Sequence, residues 1–183
     1  MTSGAPNEGK TTIAIGLART FARGQSRVLL IDGDLRKNGV SNLLGLRGKH
    51  GFEAFLNKQV NLSEAIVPMP ELGIDVLPSS KGDVGPSDLL DISKMAECME
   101  ECRRRYDFII VDSPPVLAVS DALYILPHAD TALFLVRWNV ARSRQVEEAM
   151  EEIPEELSHK MRFVLARGKV SRNRRAAYKY YYS

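Results

Sequence analysis

The octapeptide Gly4-Ala5-Pro6-Asn7-Glu8-Gly9-Lys10-Thr11 constrains this chain more than any other feature, because it fits the G-x-x-x-x-G-K-[ST] spacing. Small residues there let backbone N–H groups close around phosphate oxygens. Apolar Ile13, Ile15, Leu17 and Ala18 behind the loop place a helix whose N-terminal dipole favours an anion. Lys10 is then positioned to reach β- and γ-phosphates, and Thr11 to set its hydroxyl on Mg²⁺. Gly4 through Thr12 form the candidate nucleotide-binding segment, and ATP with Mg²⁺ are the expected cofactors.

Around this loop, apolar β-rich runs alternate with helical patterns. Strands are expected over Arg27–Asp32, Gly73–Leu77, Tyr106–Asp112, Thr131–Val136 and Met161–Ala166. Helices are expected over Lys10–Arg23, Ser41–Leu44, Gly51–Asn57, Leu62–Ile66, Pro86–Arg105, Ser120–Leu126 and Ala141–Glu152. Gly24 reads as the C-cap of the first helix, and Ser87-Asp88 as an N-terminus. Val28-Leu29-Leu30-Ile31 and Phe108-Ile109-Ile110-Val111 are apolar on successive residues, as strands covered on both faces must be. The fold class is therefore α/β, a mostly parallel sheet between helices.

With 183 residues, one domain over 1–167 is expected, followed by a basic, tyrosine-rich tail over 168–183. Hydrophobic residues make up 44% and charged ones 26%, which excludes disordered, collagenous and membrane classes. No apolar run reaches the roughly 18 residues of a membrane span, and nothing resembles a signal peptide, so a cytoplasmic address is expected. Cys98 and Cys102 read as apolar filler, and His50, His128 and His159 as surface residues without metal spacing.

A P-loop ordinarily follows a buried strand of about five residues. Only Met1, Thr2 and Ser3 precede Gly4. The first strand is thus expected to be missing, leaving backbone groups unpaired and the chain poorly stable or prone to aggregate.

Two further strands end in acids. Leu29-Leu30-Ile31-Asp32-Gly33-Asp34-Leu35-Arg36 carries two carboxylates about a glycine, and Phe108-Ile109-Ile110-Val111-Asp112-Ser113-Pro114-Pro115 carries one. Ligands of open α/β sheets sit at the carboxyl ends of strands, so Asp32, Asp34 and Asp112 are expected to converge on the loop. Arg137, at the end of a later strand, is a candidate phosphate or ribose contact.

These motifs, in this order, resemble the bacterial tyrosine kinases (BY-kinases) of capsule and exopolysaccharide synthesis, a branch of the P-loop NTPases with deviant Walker motifs that includes partition-type ATPases. Pro6 and Glu8 inside the loop, Asp34-Leu35-Arg36, Leu77-Pro78-Ser79, Ser120-Asp121-Ala122 and the terminal tyrosines add to the likeness. Partition and septum-site ATPases place a signature lysine where this chain has Ala5, which favours the kinase branch. The resemblance implies that Asp32 accepts the proton of a tyrosine hydroxyl, that Thr11, Asp34 and Asp112 hold Mg²⁺ directly or through water, and that Lys10 stabilises the transferring phosphoryl group. Between Asp32 and Asp34 the roles stay interchangeable at this point.

By the same resemblance, Tyr178, Tyr180, Tyr181 and Tyr182 are the phosphoacceptors, modified in trans within a homo-oligomer. A membrane-bound activator of polysaccharide export is an expected partner, the resemblance allows a peripheral position at the inner membrane face, and no nucleic acid is expected. Ala166 departs from the family's usual asparagine near the adenine. The competing functions are a nucleotide-switched partition-type ATPase that phosphorylates nothing and a degenerate, noncatalytic ATP-binding module.

Overall fold

The computed structural model describes residues 1–46, 50–79 and 92–168. The chain runs β1 (Thr2–Ser3), α1 (Lys10–Ala22), β2 (Val28–Asp32), α2 (Gly39–Leu43), α3 (Phe52–Leu56), α4 (Leu62–Ala65), β3 (Val67–Met69) and β4 (Ile74–Leu77). It continues through α5 (Ile92–Arg105), β5 (Phe108–Asp112), α6 (Asp121–Ile125), β6 (Ala132–Arg137), α7 (Ser143–Glu151), α8 (Glu155–Ser158) and β7 (Met161–Ala166). All five expected strands are present within a residue or two of their bounds. The expected helix over 86–105 is described from Ile92, and Ser87-Asp88 lies outside the described residues.

Two hydrogen-bonded sets make up the sheet, in the orders β3-β4-β2-β5 and β1-β6-β7. Every pairing is parallel except β3 with β4. The sets meet at β1, where the Met1 carbonyl accepts from Ser113 N at 3.0 Å and the Ser3 carbonyl from Val116 N at 3.0 Å. This corrects the expectation of a missing first strand: Thr2 pairs with Phe134 and Ser3 with Leu135, so a two-residue strand occupies the interior position. Both residues are buried, and Thr2 Oγ1 donates to the Pro114 carbonyl at 2.9 Å.

Continuous burial along β2 follows from a sheet covered on both faces. Leu29 and Ile31 pack with Phe52, Leu77 and Met95 on one side, while Val28 and Leu30 pack with Ala14, Ala18 and Ile110 on the other. A third cluster joins Phe134, Ala149, Ile153 and Met161, seating α7 on β6. Each large side chain removed from water contributes roughly 1.5–3 kcal/mol. Cys98 and Cys102 are 5% and 0% exposed inside the first cluster, the filler role expected of them.

Sequence periodicity misses β3 because it is three residues long and contains Pro68, which only an edge strand tolerates. At the end of α1 the positive φ falls on Gln25 (61°) rather than on Gly24, which corrects the cap assignment. His128 is half-buried, with an Nε2 lacking a hydrogen-bond partner, so only His50 and His159 are the surface residues expected. Among the described residues no helix is long and apolar enough to cross a membrane.

Candidate functional site

Gly9 adopts a left-handed conformation (φ 96°) and hands the loop directly to α1 at Lys10. Asn7 shares that region at φ 63°, a conformation asparagine tolerates better than most residues. Gly4 lies against α7, where a Cβ would come 3.4 Å from the Gln145 carbonyl, close to ordinary contact. The loop thus rests on α7 while its other end opens into a cavity.

That cavity, of about 360 Å³, is lined by loop residues Pro6, Asn7, Gly9, Lys10, Thr11 and Thr12 and, facing them, by Asp34, Lys37, Gly39, Pro115, Arg137 and Arg167. Its size suits a small ligand. Another hollow, of about 410 Å³, lies among the ion-paired Glu97, Glu100, Glu101, Arg104 and Arg105 on the outer face of α5 and gathers no chemistry of this kind.

The three acids lie at neighbouring strand ends and are held differently: Asp34 lines the cavity, Asp112 bonds to Thr11, and Asp32 does neither. Register pairs Asp32 with Asp112 across adjacent parallel strands. Gly33 allows this closeness: its N–H donates to the Asp112 carbonyl at 2.7 Å, and a Cβ would stand 2.9 Å from that oxygen. Asp112 Oδ2 accepts from Thr11 Oγ1 at 2.6 Å, whereas its Oδ1 is buried without a partner. Burial pushes the Asp112 carboxyl up to about 6, partly offset by that hydrogen bond and by nearby positive charge.

Asp34 accepts from Lys37 N at 3.1 Å and contributes to the cavity wall. Asp32 stands apart from the wall at 0% exposure. Its Oδ2 takes bonds from Ser41 N (2.8 Å), Ser41 Oγ (2.7 Å) and Ser79 Oγ (3.1 Å), and its Oδ1 has none. Burial raises the pKa of this carboxyl and the serine hydrogen bonds oppose the rise.

Lys10 is buried near Asp112, Asp34 and Glu8, with Nζ donating to Ser3 Oγ at 2.9 Å. Burial lowers its pKa, against the pull of those carboxylates. The hard oxygen donors Thr11, Asp34 and Asp112, the last with Oδ1 unpartnered and Oδ2 already 2.6 Å from the Thr11 hydroxyl, are of the kind Mg²⁺ takes.

Sequence reasoning missed Lys37, Gly39, Pro115 and Arg167 as cavity residues. Only Gly39 left a legible trace, a glycine opening α2, where a Cβ would meet Thr11 Oγ1 at 2.8 Å. Two family-like segments noted separately turn out to touch: Arg36 Nε lies 3.3 Å from buried Asp121 Oδ2. Glu8 and Ala5 sit behind the cavity wall, and Tyr178, Tyr180, Tyr181 and Tyr182 lie outside the described residues.

Comparison with known proteins bears on this geometry. The model of the AAA domain family matches residues 7–161. The Escherichia coli K12 tyrosine-protein kinase etk is 32% identical over 153 residues, covering 84% of this chain and 21% of the relative. The chain thus spans about a fifth of that relative's length. Among solved structures, the MinD cell division protein of Aquifex aeolicus superposes with a TM-score of 0.74 at 28% identity, over 96% of this chain and 71% of that one, and shares the parallel-sheet P-loop NTPase fold. The kinase domain of VpsO superposes with a TM-score of 0.82 at 31% identity, over 92% of this chain and 83% of its own. Similarity over 92% of this chain and 83% of a solved kinase domain, together with 32% identity to a tyrosine-protein kinase over 84% of the chain, places this chain in the bacterial tyrosine kinase (BY-kinase) family.

Proposed function

We propose that this chain is an ATP- and Mg²⁺-dependent protein tyrosine kinase that autophosphorylates its C-terminal tyrosines and regulates synthesis or export of an extracellular polysaccharide. The observation that carries the reading is that Lys10, Thr11 and Asp34 line one cavity at the mouth of the phosphate loop, with Asp112 bonded to Thr11 behind its wall. Membership of the family supplies the choice of tyrosine as acceptor, and relatives named tyrosine-protein kinases support it.

Thr11, Asp34 and Asp112 would hold Mg²⁺. When bound, the ion offsets the negative charge of the phosphates. Within the candidate segment Gly4 to Thr12, the cavity-lining Asn7, Gly9, Lys10, Thr11 and Thr12 would present backbone N–H groups to the phosphate chain, and Lys10 would turn its ammonium to the transferring group, where preorganised charge has its largest effect on rate. Asp32 is the proposed base: burial raises its pKa, and Oδ1 has no hydrogen-bond partner. Asp34 lines the cavity and is the alternative base. Asp32→Asn should abolish transfer while keeping Mg-nucleotide affinity, whereas Asp34→Asn should lower the affinity itself. The reverse pattern would exchange their roles.

Tyr178, Tyr180, Tyr181 and Tyr182 are the proposed acceptors, reached in trans within a homo-oligomer, in a cytoplasmic protein working with a membrane-bound activator. Each phosphate adds about −1.5 to −2 charges, so modification of all four tyrosines would invert the sign of the basic tail. Incubation with Mg-ATP and peptide mass mapping of 168–183 checks this. An unmodified tail in a sample that binds ATP would sink the proposal, and phosphate release without modified tyrosine would favour a nucleotide switch.

A further inference from the structure

The phosphate loop contains a carboxylate of its own, and that carboxylate is buried. Glu8 is 3% exposed, although it sits on the segment that must receive negatively charged phosphate. Its Oε2 accepts from Ala5 N at 3.0 Å, and its Oε1 accepts from the backbone N–H of Arg137, the last residue of β6, at 3.3 Å. The guanidinium of Arg137 returns the contact, with Nη1 donating to the Asn7 carbonyl at 3.0 Å.

We propose that Glu8 and Arg137 form a reciprocal clasp that fixes the phosphate loop to the end of β6, making Glu8 a positioning residue for the nucleotide's phosphate chain. The proposal rests on the nucleotide-binding part of the function given above. The loop needs such a support. It holds Asn7, a residue other than glycine, at φ 63°, and such backbone persists where its surroundings over-determine it. Three bonds from one carboxylate and one guanidinium secure Ala5, Asn7 and Glu8 at once. Arg137, expected from the sequence to touch phosphate or ribose, lines the cavity and also holds the loop through the Asn7 carbonyl.

Electrostatics and the clasp predict opposite signs for one substitution. As a bare charge, Glu8 repels phosphate, so Glu8→Gln should tighten nucleotide binding. In a clasp, glutamine keeps one carbonyl oxygen for Ala5 N–H but turns its NH₂ toward Arg137 N–H, donor against donor. A buried donor left unpaired costs about 1–3 kcal/mol, which the loop avoids only by leaving its binding shape.

The test measures binding of N-methylanthraniloyl ADP and AMP, with Mg²⁺, to the full chain and to E8Q, R137A and the double variant. The clasp predicts that E8Q weakens ADP binding about tenfold, leaves AMP binding unchanged, and leaves the nucleotide-free melting temperature within a few degrees. R137A should weaken ADP binding in the same direction, and the double variant should lose no more than the worse single one. Unchanged or tighter ADP binding in E8Q, equal losses for ADP and AMP, or additive losses in the double variant would each overturn the clasp. If the unsubstituted chain bound neither nucleotide, the nucleotide-binding reading would fail and the clasp with it.

Discussion

Single atoms decide how this site works. Gly39 faces Thr11, and a Cβ at that position would stand 2.8 Å from the hydroxyl that donates to Asp112. Gly39→Ala should therefore force Thr11 off its partner. Losing a hydrogen bond to a charged group is worth about 1.5–3 kcal/mol, so calorimetry should show Mg-dependent ADP affinity falling roughly 10- to 100-fold, with Mg-free affinity little changed. Asp112 also sets a pH dependence. Its folded carboxyl keeps a proton up to about 6, against an ordinary value of 3.8, so the native state binds more protons than the unfolded chain between those limits. The contribution of Asp112 to stability is thus lost as pH rises from about 4 to about 6. Denaturant midpoints across that window should fall for the nucleotide-free chain, and Asp112→Asn should flatten the slope without removing the part owed to Asp32, whose pKa burial also raises. The three acids were legible in the sequence because strand ends advertise them. Glu8 was legible only as a loop residue, since its partner lies 129 positions away and nothing local marks the pair.

At the scale of elements, the end of β2 is joined to two neighbours. Gly33 lies against the backbone of β5, where an added Cβ would be 2.9 Å from both the Asp112 carbonyl and Val111 Cγ1. Neither neighbour can swing away as a flexible side chain would, so Gly33→Ala should cost about 1–3 kcal/mol in chemical denaturation and separate Asp32 from Asp112. Beyond it, Arg36 reaches Asp121 at the start of α6, an aspartate whose side chain is 2% exposed. Arg36→Ala should destabilise by about 1–2 kcal/mol, less than for a fully buried pair because Arg36 is itself 42% exposed. The strands of the core were readable because burial on both faces imposes unbroken apolar runs. Short β1 and β3 were not, since two or three residues cannot display a period.

Across the whole molecule, every strand but β3 runs parallel, so the carboxyl ends of β2 and β5 come to one edge beside the start of α1. That arrangement turns three separate sequence motifs into one site, and the fold class could be read from the sequence for the same reason. What could not be read was how little backbone the first interior position requires: Thr2 and Ser3 complete the ladder against β6. The measurement that tests the central claim most directly is transfer of label from [γ-³²P]ATP to tyrosine in the presence of Mg²⁺, compared between the chain and its Lys10→Met variant. The account predicts labelled phosphotyrosine that appears with time in the chain, requires Mg²⁺ and is abolished in the variant. Label that never reaches tyrosine in a chain that binds ATP, or that reaches it equally in both proteins, would contradict the account.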